Sequence, residues 1–518
     1  MSSTITNARR VALTIGCSAL ALIAARSGAY AGNLISGDSL LVTMTTYEDV
    51  GQVAGLVAGV TAIPGGTAVA DGDINTVWNN SSVDGQFGVT SPLTLQDLSA
   101  TSGALLASET LDPSKLVTSF SSKSELGLSI TQTASGLVAT FMGYAPGGAG
   151  YPPTAAGMLD VSNADSTSYV DPTNVASQFY KSSYTDYAFN RSVVAVTANG
   201  AYSITPTLAY GGDNNRAAVL APNGLYYTVG NSNSGTTTAP QLTTTTGLEV
   251  VTPGPMQNST MIDPTFKALP KDKAGKSSNF RGLTYYDGNL YFTKGSGSNG
   301  IDTVYTVSKP GGKLPTAATA NSATISILPG FPTLPAKSPG PDYTPFGLFF
   351  ADPTTLYVAD EGSGNATDAA VHAGLEKWTL SSGTWHLDYT LQDNLIGVTY
   401  DVTNWDYTET TSGLRNLTGR DNANGTVTLW ATTATTSGSG DNGADPNEIV
   451  MINDVLGDTS PPTSEKFSVF DGPQFGVRYG GVAFAAPEAS TWAMMLIGFM
   501  GLGFGACRRA KSAAPAPA

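Results

Sequence analysis

Two histidines, His372 and His386, are the only imidazoles in 518 residues, and both cysteines, Cys17 and Cys507, sit inside apolar stretches at the chain ends. Acid–base and thiol chemistry therefore have few places to reside. The body between the cysteines can hold no disulfide, no zinc–thiolate site and no thiol nucleophile. His372 falls in a loop beside Asp368, which would suit a Ser-His-Asp relay, but no G-x-S-x-G elbow accompanies it. His386 lies between Trp385 and Leu387 in a strand-like run and reads as a surface or edge residue. No catalytic residue is assigned.

Carboxylates are the other available reagents. Asp71-Gly72-Asp73-Ile74-Asn75 begins like an EF-hand loop, but Thr76 replaces the required Gly and Ser82 the bidentate Glu. Asp441, Asp445 and Glu448, with Asn447, form a denser acidic loop. They are the calcium candidates, and no other cofactor is expected. Gly295 to Gly300 matches G-x-G-x-x-G, but Ile301-Asp302-Thr303-Val304-Tyr305 follows as a strand. A phosphate cradle needs a helix N-terminus at that point, so the segment reads as a loop between strands.

The chain is 41% hydrophobic and 13% charged, with 59 Gly and 30 Pro. This excludes disordered, collagen-like and coiled-coil classes and suits strands joined by many turns. The formal net charge is −15, and the acidity is concentrated in the body, because residues 1–31 carry three Arg and no acid. Such a surface offers no basic patch for nucleic acid or anionic lipid.

A repeat organises the body. A run of Gly, apolar, Thr or small, apolar is followed by a run of Leu or Val, aromatic or apolar, then Thr or Ala. Gly282-Leu283-Thr284-Tyr285 precedes Asn289-Leu290-Tyr291-Phe292-Thr293, and Gly347-Leu348-Phe349-Phe350 precedes Thr355-Leu356-Tyr357-Val358-Ala359-Asp360. Gly127–Ile130 with Gly136–Thr140, Arg216–Val219 with Gly224–Thr228, and Gly397–Tyr400 with Val427–Ala431 repeat the pair. Asp287-Gly288 and Asn223-Gly224 supply the turns, since Gly and Asn accept positive φ. Further strands are expected near 93–98, 193–197, 247–252, 301–307, 375–380 and 448–453. Four antiparallel strands per unit read as the blades of a β-propeller, six most simply, with seven open as an alternative. An unpaired strand at Ser39–Thr43 and another at Gly481–Phe484 should pair and close the ring. The Thr355–Asp360 hairpin resembles those of NHL-type and gluconolactonase-like propellers.

The expected architecture is therefore all-β: a signal segment at 1–31 and a propeller over 32–486, with loop insertions at 45–92, 143–192 and 401–425. On the face bearing the connections between second and third strands, Tyr180, Tyr184 and Tyr187 of the second insertion could stack on sugars or pack a peptide. Glu48, Asp49, Asp360 and Glu361 follow second strands there and would form a cation-binding mouth or a solvated rim.

The ends read as addresses. Arg9 and Arg10 precede the apolar run Val11–Ala25, and Ala29 and Ala31 stand where a signal peptidase reads, with Gly32 as the new N-terminus. Near the other end, Pro487-Glu488 precedes an apolar Gly-rich stretch containing Trp492, Gly498 and Gly501, then Arg508-Arg509. From Trp492 to Cys507 that stretch spans about 24 Å as a helix, short of the roughly 30 Å hydrocarbon layer. Residues 487–511 resemble the PEP-CTERM sorting signal, with Ala489 where that family usually has a second Pro; 512–518 is expected to be a disordered tail. The resemblance implies export across the inner membrane, transient anchoring by the C-terminal helix, and processing by an exosortase-type protease in exopolysaccharide-producing bacteria. The leading functional expectation is a monomeric, non-enzymatic binding or scaffolding protein of a polysaccharide-rich, biofilm-forming cell surface. A calcium-dependent propeller hydrolase, lactonase or glycosidase-like, is the alternative. An adhesin or ice-binding surface, suggested by the Thr-rich 243–246 and an ice-binding label on related tails, is a third.

Overall fold

Each paired run becomes a hairpin. Asp287 and Gly288 take φ of 44° and 76°, the two positive values a tight two-residue turn needs. They join Leu283–Tyr286 to Asn289–Lys294 in the register Leu283↔Phe292, Tyr285↔Leu290. The computed structural model describes residues 33–46, 57, 59–63, 66–71, 74–80, 90–119, 126–147, 188–211, 214–232, 246–255, 259–272, 275–336, 338, 343–364, 372–402, 408–436, 445–474 and 476–486. No α-helix occurs among them, and none of their helices is long and apolar enough to cross a membrane.

Six antiparallel sheets form six blades of a propeller. Strands are lettered A to D from the axis outward. Blade 1 combines Val477–Ala485 (A) with Ser39–Thr46, Leu93–Ser99 and Leu105–Thr110. Blade 2 runs Ser129–Thr133, Gly136–Gly147, Ala188–Thr197, Tyr202–Pro206, and blade 3 runs Asn215–Leu220, Tyr226–Gly230, Gly247–Val251, Ser259–Met261. Blade 4 is Leu283–Tyr286, Asn289–Lys294, Thr303–Val307, Ile325–Ile327, and blade 5 is Pro345–Asp352, Thr355–Asp360, Gly374–Ser381, Thr384–Leu391. Blade 6 is Thr408–Asp421, Thr426–Thr435, Ile449–Val455, Ser468–Asp471, with Thr399–Asp401 as an extra edge strand. A three-stranded sheet over Ala62–Ile63, Gly66–Asp71 and Ile74–Asn80 lies in the B–C connection of blade 1.

The ring closes as expected. Leu40 pairs with Phe484, Leu41 with Ala483 and Val42 with Val482, and both Leu40 and Val42 are fully buried. They join Trp430, Ile449, Tyr479 and Val482 in the core between blades 6 and 1. Joining the first and last strands in one sheet removes the two exposed edges an open ring would present.

One expectation is corrected. Gly397–Tyr400 is not the inner strand of blade 6, and 401–425 is not simply an insertion. The inner strand is Thr408–Asp421, which pairs with Thr426–Thr435 through Leu417↔Ala431 and Gly419↔Leu429. Here Asn416 occupies the place that Gly takes in blades 1, 2, 4 and 5, so the repeat signature is lost.

The structure gives the signature its reason. A Cβ at Gly282 would land on the Phe346 carbonyl oxygen of blade 5, and one at Gly481 on the Leu126 carbonyl oxygen. Neighbouring inner strands pass too closely for a side chain. The strand-B threonines reach across the same gap: Thr293 Oγ1 donates to Phe346 O at 2.7 Å and Thr140 Oγ1 to Ala218 O at 3.1 Å. Apolar side chains fill the wider space behind, as with Val229, Val250, Phe280, Phe292 and Tyr305 between blades 3 and 4. The signal segment, the sorting stretch with the helix expected there, and the tail lie outside the described residues.

Candidate functional site

The axis has two chemically different ends. At the end where the inner strands begin, a charged collar joins blades 3 to 6. Glu361 directly follows strand B of blade 5 and is buried. Arg281, one residue before Gly282, donates from Nη1 to Glu361 Oε1 at 3.1 Å. Arg415, one residue before Asn416, donates from Nε and Nη2 to Oε2 at 3.0 and 2.7 Å. The buried Phe346 ring lies 5.2 Å from the first guanidinium and 4.8 Å from the second. Arg216 of blade 3 extends the collar, donating to Phe280 O at 2.8 Å and to the Asn279 side chain. Burial alone would raise the Glu361 carboxyl, but Arg281 and Arg415, with Arg216 beyond, hold it below its usual range. A carboxylate clamped in this way is a structural anion, poorly placed to act as a general acid.

Beside the collar, Asp360 accepts from Thr344 N at 2.7 Å, Thr344 Oγ1 at 2.6 Å and Gly362 N at 2.8 Å. Burial, with the Glu376 charge added, pushes its carboxyl up to about 7. Glu376, in strand C, accepts from Trp378 Nε1 at 2.7 Å and Tyr343 Oη at 3.2 Å, and bonds His372 Nδ1. Burial opposes charge on His372, yet the Glu376 carboxylate and the Asp360 charge hold its pKa above the usual value.

At the other end lies a cavity of about 400 Å³, bounded by the inner strands of all six blades. Leu128, Ile130, Val219, Leu283, Leu348, Leu417 and Val482 supply apolar wall, and Ser129, Thr131, Thr284 and Thr418 supply hydroxyls. Tyr285, Phe349 and Phe484, from blades 4, 5 and 1, lie half-buried along it. Glycines 127, 282 and 347 mark its inner limit, and the collar residues do not reach it. It faces the A–B turns, on the opposite side of the disc from the B–C connections where a ligand was expected.

The sequence-predicted residues divide accordingly. Asp360 and Glu361 lie at the expected face, but neither forms a solvated rim or a cation mouth: both are buried and consumed in ties to neighbouring backbone or blades. Asp445 is buried and accepts from Thr435 Oγ1 at 3.0 Å, and burial pushes the Glu448 carboxyl up to about 7. Among the described residues no group of three or more His, Cys, Asp or Glu could hold a metal ion. His386 is exposed in strand D, whereas the partner of His372 is Glu376. Gly295–Gly300 is a B–C connection, into which Lys294 Nζ donates at Ser296 O. Glu48, Asp49, Tyr180, Tyr184, Tyr187, Asp441, Ala29, Ala31, Gly32, Pro487, Glu488, Trp492, Gly498, Gly501, Arg508 and Arg509 lie outside the described residues. Sequence reasoning missed Arg216, Arg281, Arg415 and Glu376. A signal existed for three of them, because Arg216, Arg281 and Arg415 occupy the same place in the repeat, immediately before the inner-strand Gly282 and its counterparts Ala217 and Asn416.

No protein-family model and no curated protein sequence matches the chain. Among solved structures it is similar to a hypothetical selenium-binding protein from Sulfolobus tokodaii, at 10% identity and TM-score 0.36, over 88% of this chain and 95% of that one. It is also similar to a mutant of AofleA from Arthrobotrys oligospora, at 11% identity and TM-score 0.26, over 70% and 92% of the two chains. PhoX of Pseudomonas fluorescens in complex with vanadate matches at 12% identity and TM-score 0.29, over 68% and 81%. Likenesses this distant carry nothing about ligand or chemistry.

Proposed function

We propose that this propeller is exported to the cell surface or extracellular matrix and acts there as a non-enzymatic, monomeric binding or scaffolding module associated with polysaccharide. One observation carries the binding role: an axial cavity walled by apolar and hydroxyl side chains, with the central carboxylates of the collar already clamped by arginine or backbone donors. Its support for export is the Arg9-Arg10 leader and the resemblance of residues 487–511 to a PEP-CTERM signal. Signal peptidase and an exosortase-type membrane protease would be the processing partners. The acidic composition supports a role away from nucleic acid and anionic lipid. The test combines fractionation of producing cells, affinity sedimentation of the exported chain with the cells' own exopolysaccharide, and biofilm mass in a deletion strain. Chain recovered outside the inner membrane, binding of that polymer and loss of biofilm mass are the expected results. A cytoplasmic chain overturns export; no binding together with an unchanged biofilm overturns the binding role.

The second reading is a calcium-dependent hydrolase. Its one favourable observation is that the buried carboxylates of Glu409, Asp445 and Glu448 gather about Tyr400 in blade 6, although as placed they do not form a metal-holding group. Calcium-dependent turnover of a lactone or glycoside, abolished by EDTA, would establish it in place of the binding role.

A further inference from the structure

The axial cavity is selective in what it omits. Among the described residues no charged side chain lines it, in a chain of formal net charge −15. An ion placed there would lose its hydration with no opposite charge to meet it. The wall alternates in kind around the ring: hydroxyls at Ser129, Thr131, Thr284 and Thr418, and carbon surface at Leu128, Ile130, Leu283, Phe349 and Phe484. The Gln132 amide and Pro222 stand exposed at the outer end of the same wall. At its inner end Gly282 and Gly347 meet the backbone of the next blade, and the lining runs outward to Gln132 and Pro222 beside the A–B turns. Its size is within the range of ligand pockets rather than of packing defects.

We propose that this cavity binds an uncharged saccharide unit, entering from the A–B turn face. This inference deepens the polysaccharide-binding role above and rests on it. A pyranose presents hydroxyls at its edge and C–H groups on its faces. The Thr284 hydroxyl can exchange hydrogen bonds with the edge, as can the capacity left on Ser129, Thr131 and Thr418 beyond their bonds to Thr140 Oγ1, Leu220 O and Phe484 N, and half-buried aromatic rings from three blades can cover the faces. A ligand that is apolar throughout would leave the Thr284 hydroxyl against carbon, and a uronate or sulfated sugar would leave its charge unmet.

The test is calorimetric titration of the purified full chain with neutral hexoses and their disaccharides, with glucuronate as the charged comparison. Two variants sit at Thr284, which is half-buried on strand A of blade 4. Thr284→Trp fills the opening and should abolish saccharide binding, while circular dichroism confirms an unchanged fold. Thr284→Val keeps the volume, so it guards against a misfolded Trp variant, and should weaken binding roughly fivefold through one lost hydrogen bond. No saturable binding of any neutral sugar overturns the inference, as does tighter binding of glucuronate or wild-type affinity in a folded Thr284→Trp chain. The two readings separate by result. Polymer binding that survives Thr284→Trp removes the cavity proposal and leaves the general role standing, whereas a chain that binds neutral sugar but no native polymer does the reverse.

Discussion

Replacing Glu361 by Gln tests the collar directly. The wild-type carboxylate accepts from Arg281 at 3.1 Å and from Arg415 at 3.0 and 2.7 Å, in a buried site. Glutamine preserves the shape but has one acceptor oxygen, so one guanidinium must face an amide NH₂, donor against donor. The side chain also loses the charge that offsets two buried cations. Removing one partner of a buried ion pair costs about 3–5 kcal/mol, against about 0.2–1 kcal/mol for an exposed one. Urea unfolding followed by tryptophan fluorescence reads the difference by linear extrapolation, and unfolding rates serve the same comparison where refolding is incomplete. A loss under about 1 kcal/mol would refute the reasoning, because it would mean that solvent screens the collar. The compensating variant Glu361→Leu with Arg281→Met and Arg415→Met should recover most of the loss, since matched apolar replacement of a buried ionic group is often neutral or better.

Two further outcomes follow from the same geometry. Asp360 and Glu448 both titrate near about 7 in the folded chain, and His372 is held above its usual value. Each binds its proton more tightly folded than unfolded, so its contribution is full below the unfolded pKa and is lost as pH rises through the folded one. Melting temperature should therefore fall as pH rises from about 5 to about 7.5, and Glu448→Gln, which cannot titrate, should flatten that fall; an unchanged slope would show that Glu448 is not the burdened group. On the acid side Glu361 works in the opposite sense, its stabilisation vanishing as pH drops through a value already below the usual one. Separately, Gly282→Ala should destabilise the ring by more than about 2 kcal/mol, because its Cβ meets Phe346 backbone, whereas Gly457→Ala, with open space around it, should stay within about 0.5 kcal/mol. Equal melting curves for the two variants would contradict the close approach of blades 4 and 5.

Blade and closure were readable in the sequence because the same physical demands recur in it. A tight hairpin needs positive φ, so Asp287-Gly288 announces its turn. Close inner strands need Gly, so Gly127, Gly282, Gly347 and Gly481 recur ahead of an apolar pair. Where another solution was used, the reading failed. In blade 6 Asn416 fills the glycine position, its side-chain amide donating to Gly480 O at 3.1 Å, so the glycine signature points to Gly397 instead. The collar's pairing was illegible for a different reason. Arg281, Arg415 and Glu361 lie far apart in sequence, and nothing local distinguishes a clamped carboxylate from a solvated one. The Lys377–Asp454 ion pair is the same case: at 2.9 Å and fully buried, it joins blades 5 and 6 with Tyr389 Oη donating to Asp454 at 2.6 Å. Partnerships that a ring closes across blades appear only when the blades are in place.

The glycine layer links these observations to function. Side chains are excluded where inner strands touch, because a Cβ at Gly282 or Gly481 would meet the backbone of the next blade. Residues immediately before the layer are then directed into one end and residues after it into the other. Arg281 and Arg415 stand just before it and meet Glu361; Leu283, Thr284, Leu348 and Thr418 stand after it and wall the cavity. A charged clamp and an uncharged pocket can therefore sit on one axis without mixing, since the layer keeps the buried guanidiniums away from the cavity wall. That separation carries a consequence for perturbation. Changes in the collar should act on stability and leave ligand selectivity alone, while Thr284 variants should act on binding and leave the unfolding midpoint within about 1 kcal/mol of wild type, as expected for a partly exposed site away from the core.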